Sequence, residues 1–215
     1  ILTIVYRASR AWKLTVGVAI SLGLIGYFGM WDDTMRTLSI ITVCTLLSIV
    51  LGIPIGILMS GSKRIQGIVT PILDVMQTMP AFVYLIPVVM LLGIGKIPGV
   101  IAVVIYAIPP VIRLTNLGIR LVDKEVLEAS AAYGANRWQT LWGVQMPLAM
   151  PTIMAGINQT IMMALSMVVI AAMIGVPGLG VPVLRAVSNQ YLALGVMNGL
   201  AIVAIAIIFD RVSQA

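Results

Sequence analysis

The chain has 215 residues, 60% of them hydrophobic and 9% charged, with a mean hydropathy of +1.11. That composition excludes an ordinary soluble domain, and the lack of alternating strand patterns leaves an all-α polytopic membrane protein rather than a barrel. Thirteen basic residues against seven acidic ones give a net charge of +6. With no basic run interleaved by aromatics, that excess reports topology and not nucleic-acid binding.

Uncharged stretches run from Leu14 to Trp31, Thr37 to Ser62, Ile97 to Ile112, Trp138 to Leu184 and Ala186 to Phe209. A crossing needs roughly 20 apolar residues, so six are predicted: 13–31, 35–60, 67–93, 98–119, 148–172 and 190–210. The first follows Arg7, Arg10 and Lys13 like a signal peptide, but it is longer than an h-region and lacks a small-x-small exit at Met30-Trp31-Asp32. It reads as a retained accessory helix over residues 1–31, with the core over 32–215. Cys44, the single cysteine, reads as a small packing residue and excludes a disulfide within the chain.

Placing both ends of this sequence on the cytoplasmic side puts Arg7, Arg10, Lys13, Lys63, Arg64, Arg120, Lys124, Arg137 and Arg211 inside. Arg36, Lys96 and Arg185 fall outside. This is a positive-inside bias, and inversion would reverse it. Pro54, Pro80, Pro87, Pro109 and Pro110 lie inside predicted crossings, where each removes a backbone donor and favours a kink. Gly52-x-x-x-Gly56 permits close helix approach.

Asp74 and Arg113 fall at membrane depth in the third and fourth crossings. A charge there must pair or face water. The two are expected to pair with each other or to share a polar cluster with Gln77; a direct meeting of Asp74 with a cationic substrate is the alternative. Candidate lining groups of a transmembrane path are Gln77, Thr78, Tyr84, Asn158, Gln159 and Ser166. Helix-to-helix hydrogen bonding is the competing role for these groups.

Between the fourth and fifth crossings lies a polar, helix-forming segment, 123–147. Asp123 suits an N-cap with Glu125 and Glu128 near the positive helix end. Gly134 suits a left-handed C-terminus. Asn136 then suits the cap of a second short helix carrying Trp138, Leu141, Trp142 and Gln145 on one face, and Pro147 and Pro151 are expected to set the start of the fifth crossing. Farther on, Gly175-Val176-Pro177-Gly178-Leu179-Gly180-Val181-Pro182 cannot continue a helix; it is expected to form an external loop, a re-entrant cap or a plain surface turn.

The ordered pattern Glu128-Ala129-Ser130, three residues, Gly134, nine residues, Val144-Gln145-Met146-Pro147 resembles the cytoplasmic "EAA" loop of permease subunits in bacterial ABC importers. Gln77-Thr78-Met79-Pro80, Ala107-Ile108-Pro109-Pro110 and Met146-Pro147-Leu148-Ala149-Met150-Pro151 extend the likeness to the glycine betaine/proline betaine permease subfamily, over roughly residues 32–213. Serine replaces the second alanine of the triplet, and Pro182 to Asn198 matches least well.

The resemblance implies a type I ABC importer transmembrane domain in a bacterial cytoplasmic (inner) membrane, working by alternating access. Glu128, Ala129, Ser130, Gly134 and Pro147 would couple it to a cytoplasmic ATPase dimer. It also implies a second permease copy, forming a homodimer, and an extracytoplasmic substrate-binding protein. No Gly-x4-Gly-Lys-Ser/Thr phosphate loop, histidine or catalytic cluster occurs. No cofactor or metal is therefore expected in this subunit, and ATP and Mg would sit on the partner ATPase. The implied substrate is glycine betaine or a related quaternary ammonium osmolyte. Choline, trimethylamine N-oxide or an amino acid is the same-class alternative, and a secondary carrier without an ATPase is the alternative from another class.

Overall fold

A computed structural model describes residues 12–213, with side chains from Val16 to Arg211; Arg7, Arg10 and the Lys13 side chain lie outside the described residues. The order is α1 (Trp12–Tyr27), α2 (Trp31–Gly61), α3 (Lys63–Thr78), α4 (Ala81–Leu92), α5 (Lys96–Ala107), α6 (Pro109–Arg120), α7 (Lys124–Ala132), α8 (Arg137–Thr140), a π-turn (Leu141–Gln145), α9 (Met146–Ala171), α10 (Gly180–Asn189) and α11 (Leu192–Ser213). No strand occurs among the described residues.

Among the described residues, four helical runs are long and apolar enough to cross a bilayer: Trp31–Gly61, Lys96–Arg120, Arg137–Ile174 and Leu192–Arg211. The expected third crossing is not one straight helix. α3 and α4 meet at a bend of 103°. Met79 (φ −73°, ψ 132°) and Pro80 (φ −59°, ψ 142°) are both extended there, and Met79 is so because a residue before proline avoids the helical region. The Pro109-Pro110 pair behaves differently. Ile108 keeps helical angles (φ −71°, ψ −30°), and the chain continues from α5 into α6. Ile108, Pro109 and Pro110 are buried, and that packing holds Ile108 against its local preference. Counting the bent pair as one span gives up to five among the described residues; α1, as described from Trp12, falls short of spanning length.

α6 lies between α2 and α9. Glycine sets the spacing on both sides. A Cβ on Gly52 would come within 2.4 Å of Val111 Cγ1, and one on Gly56 within 2.6 Å of Thr115 Cβ. From α9, a Cβ on Gly156 would come within 2.9 Å of Leu114 Cβ. The backbones therefore approach as closely as small-residue membrane interfaces allow. The principal core, around Ile41, Val103, Ala164 and Met167, lies among α2, α5 and α9.

Gly175–Leu179 is neither helix nor plain surface turn. Val176, Gly178 and Leu179 are buried. The Leu179 N–H donates to Thr37 Oγ1 at 2.9 Å, and the Gly95 N–H donates to the Ile174 carbonyl at 3.0 Å. Gly180–Pro182, expected to be non-helical, instead forms the first turn of α10, where a proline is tolerated.

Candidate functional site

The segment between α6 and α9 is a closed helix–turn–helix with its ends satisfied locally. Asp123 Oδ1 accepts the Glu125 N–H at 3.0 Å, and Glu125 sits in the first turn of α7. At the other end the Gly134 N–H donates to the Ala131 carbonyl (2.9 Å) and the Ala135 N–H to the Ser130 carbonyl (3.1 Å). Those two bonds form a Schellman motif, with Gly134 at φ +79° supplying the left-handed residue. Asn136 then caps α8 in a reciprocal box: Asn136 Oδ1 accepts the Gln139 N–H (2.9 Å), and Gln139 Oε1 accepts the Asn136 N–H (2.8 Å). Ser130 Oγ and Thr140 Oγ1, 3.0 Å apart, tie α7 to α8.

None of α7's residues is buried. Glu128 and Ala129 are exposed, Ser130 is half-buried, and Tyr133 projects with 94% of its surface free. Trp138 and Trp142 are also exposed, as tryptophans at a membrane interface would be. A cleft of about 750 Å³ separates this unit from the α2–α3 junction, lined by Ser60, Ser62, Leu127, Arg137 and Gln145 among others. Arg120 closes the neighbouring end of α2: its Nη2 donates to the Met59 carbonyl at 3.1 Å and its Nε to Asn116 Oδ1 at 3.0 Å. A cation on the last carbonyls of a helix is favourably placed.

The expected start of the fifth crossing at Pro147 needs correction. The helix runs on from α8 through the π-turn into α9, with the Met146 N–H bonding to the Leu141 carbonyl. Widening the ladder by one residue relieves the clash that Pro147 would make with the preceding turn. The exposed unit is thus fused to a long helix that packs on α2, α5, α6 and α11.

The other expected polar groups do not converge. Arg113 Nη2 donates to Asp74 Oδ1, joining α6 to α3. Gln77 and Thr78 are exposed on the last turn of α3, and the Thr78 hydroxyl bonds to its own helix at Val75 (2.9 Å). Tyr84 is buried; its hydroxyl donates to the Met76 carbonyl and its ring meets Tyr106 edge-on at 5.6 Å, bracing the α3–α4 bend. Asn158 Nδ2 donates to Asp210 Oδ1 at 2.8 Å, tying α9 to α11. Gln159 is exposed, and Ser166 donates to the Met162 carbonyl of its own helix at 2.9 Å. Sequence reasoning missed Gln139, Thr140 and Thr37. Only Gln139 left a signal, three residues after the cap Asn136.

Residues 48–215 match the family model described as "Binding-protein-dependent transport system inner membrane component". The chain belongs to that family. Among members of this transport family, it is 51% identical over 218 residues to the glycine betaine transport system permease protein OpuAB of Bacillus subtilis, covering all of this chain and 77% of the relative. It is also 51% identical over 217 residues to the glycine betaine/proline betaine permease protein ProW of Escherichia coli, covering 99% of this chain and 61% of that protein. The chain therefore spans about three fifths of the E. coli relative's length. The fold is shared with the inward-facing MetNI methionine ABC transporter: TM-score 0.76 at 18% identity, over 86% of this chain and 93% of that one. The described residues thus form an all-helical type I importer transmembrane domain.

Proposed function

We propose that this chain is the permease subunit of an ATP-driven, binding-protein-dependent importer of glycine betaine or a related quaternary ammonium osmolyte. The observation that carries the substrate class is 51% identity to glycine betaine permease proteins along essentially the whole chain. Residues 1–31 would add an accessory helix to the permease core, 32–215. In the bacterial inner membrane, the basic residues flanking the spans favour an orientation with α7, α8 and the end of α11 cytoplasmic; residues 1–31 would have to complete a sixth crossing for the other end of this sequence to lie on that side too.

In this reading Glu128, Ala129, Ser130 and Gly134 form the docking face for one subunit of a cytoplasmic ATPase dimer, which holds ATP and Mg. A second permease copy completes the path, and an extracytoplasmic binding protein delivers the substrate. The fused α8–α9 helix makes coupling mechanically direct. A push on α7 passes through the Ser130–Thr140 contact and the π-turn into α9 without crossing a loose loop. Closure of the ATPases would move α9 against α6 and switch the side to which the path opens. Membership of the family gives no support to a carrier working without an ATPase.

Reconstitution with the partner ATPase and binding protein tests this reading. ATP-dependent uptake of glycine betaine into vesicles is expected, with loss of uptake in the Glu128→Ala/Gly134→Ala double variant. Assembly with no uptake of any quaternary ammonium compound would overturn the substrate; no association with an ATPase would overturn the importer.

A further inference from the structure

We propose that the Asp74–Arg113 ion pair is a transient subsite for a zwitterionic substrate, Asp74 receiving its quaternary ammonium and Arg113 its carboxylate. This rests on the importer reading above. Three observations carry it. First, Arg113 lies in the Lys96–Arg120 run, long and apolar enough to cross a bilayer, and Asp74 in the bent α3–α4 pair, which has the length and composition of one broken span. Second, the pair is not sheltered by its own chain: 57% of the Asp74 side chain and 37% of the Arg113 side chain remain accessible. Lipid tails do not tolerate such a surface, so in the membrane the pair faces water or the second permease copy that the importer reading calls for. Third, the pair is under-satisfied, since Arg113 Nε is buried with no hydrogen-bond partner.

An accessible salt bridge of this kind contributes little stability, so exchanging partners costs little. A small zwitterion carries the same two charges in complementary order. Its carboxylate can take two parallel N–H bonds from the guanidinium edge. Its quaternary ammonium has no N–H to donate, so the Asp74 carboxylate attracts it through charge alone. The exchange opens one ion pair and forms two contacts, leaving no charge unpaired at membrane depth. A substrate with only one of the two charges would strand the other residue. Such a site is weak by construction and suits a path through which substrate must pass.

The test uses the assembled permease–ATPase complex in lipid nanodiscs without the binding protein, with equilibrium binding of labelled glycine betaine as the readout. Wild type is expected to bind glycine betaine about tenfold more tightly than tetramethylammonium or 3,3-dimethylbutyrate, the loss expected from one charge-assisted contact. The double variant Asp74→Asn/Arg113→Gln removes both charges together and strands neither; its affinity should fall about tenfold or more. Equal binding of the singly charged probes, unchanged affinity in the double variant, or no wild-type binding at concentrations that saturate uptake would each overturn the proposal. If the double variant does not assemble, Arg113→Lys decides: it keeps the charge but lacks the planar fork, so unchanged affinity overturns the subsite and weakened affinity supports it. Uptake by the complete system separates the two readings. No glycine betaine uptake by wild type sinks the importer reading, whereas wild-type uptake with equal glycine betaine affinity in the wild-type and double-variant complexes sinks only the subsite.

Discussion

Ser130 Oγ and Thr140 Oγ1 lie 3.0 Å apart, joining two short helices on either side of a tight turn. The serine stands where the resembled permeases carry the second alanine of their triplet, and on size alone the exchange looks neutral. In the folded chain it adds a link that alanine could not make. That link lies on the route by which motion of α7 would reach α9.

Removing that link should loosen coupling without dismantling the fold. Ser130→Ala and Thr140→Val each lose one half-exposed hydrogen bond, a loss of about 0.5–1.5 kcal/mol. Both variants should assemble, and each should hydrolyse more ATP per glycine betaine transported than wild type. The double variant should be no worse than either single one, because the two residues share one interaction. Simultaneous measurement of hydrolysis and uptake in vesicles decides this; additive effects would show that the two hydroxyls act separately.

Gly134 should be less forgiving. Its φ of +79° is left-handed, which costs an L-residue about 1–2 kcal/mol. No atom lies within 4 Å of a Cβ built there, so the strain is conformational and not steric. Gly134→Ala should weaken co-purification of the ATPase while leaving permease levels in the membrane near wild type. Gly134→Asn should do less harm, since asparagine tolerates the left-handed region better. Equal ATPase retention in all three proteins would separate the Schellman turn from docking.

The caps at Asp123, Gly134 and Asn136 were legible because capping chemistry is local: a side chain and a backbone group within three residues decide it. The spans were legible because apolar length is a one-dimensional property. Prolines were not equally readable. The Met79-Pro80 step bends the chain by 103°, while Ile108-Pro109-Pro110 leaves the span nearly continuous, and the difference lies in tertiary packing around Ile108. The π-turn before Pro147 was invisible for a similar reason, since only a helix already committed on both sides needs it. Asn158 reads in the sequence as a path candidate, but its partner Asp210 lies 52 residues away on α11, a pairing no local pattern announces.

Packing of α6 against α2 gives a sharp contrast within one helix. Gly52→Val and Gly56→Val would drive side-chain atoms into Val111 and Thr115, where the Cβ alone already meets neighbours at 2.4 and 2.6 Å. Overpacking of this kind costs about 1–3 kcal/mol or more. Neither variant should yield a stable detergent-purified protein. Gly61→Ala, on the same helix with nothing within 4 Å of the new methyl, should match or exceed the wild-type unfolding temperature. A fluorescence thermal-shift series checks all three, and a tolerated Gly52→Val would mean that α2 can move away from α6.

Thr37 holds the loop before α10 by a single hydroxyl that both accepts and donates. It accepts the buried Leu179 N–H at 2.9 Å and donates to the Asp33 carbonyl one turn back in α2 at 2.8 Å. Thr37→Val keeps the shape but strands that N–H at a position with no exposed surface, at a cost of about 1–3 kcal/mol. Thr37→Ser restores the oxygen and should recover most of the loss. Gly178→Ala approaches the same contact from the other side, because its Cβ would meet Thr37 Oγ1 at 2.4 Å and its φ of +137° is strained for alanine. The expected order of unfolding temperature is wild type, Thr37→Ser, Thr37→Val, with Gly178→Ala no higher than the last. Amide exchange at Leu179 should follow the same order. If Thr37→Val left that amide as protected as in wild type, the loop would be anchored by its apolar contacts through Val176 and Leu179, and the hydroxyl would be incidental.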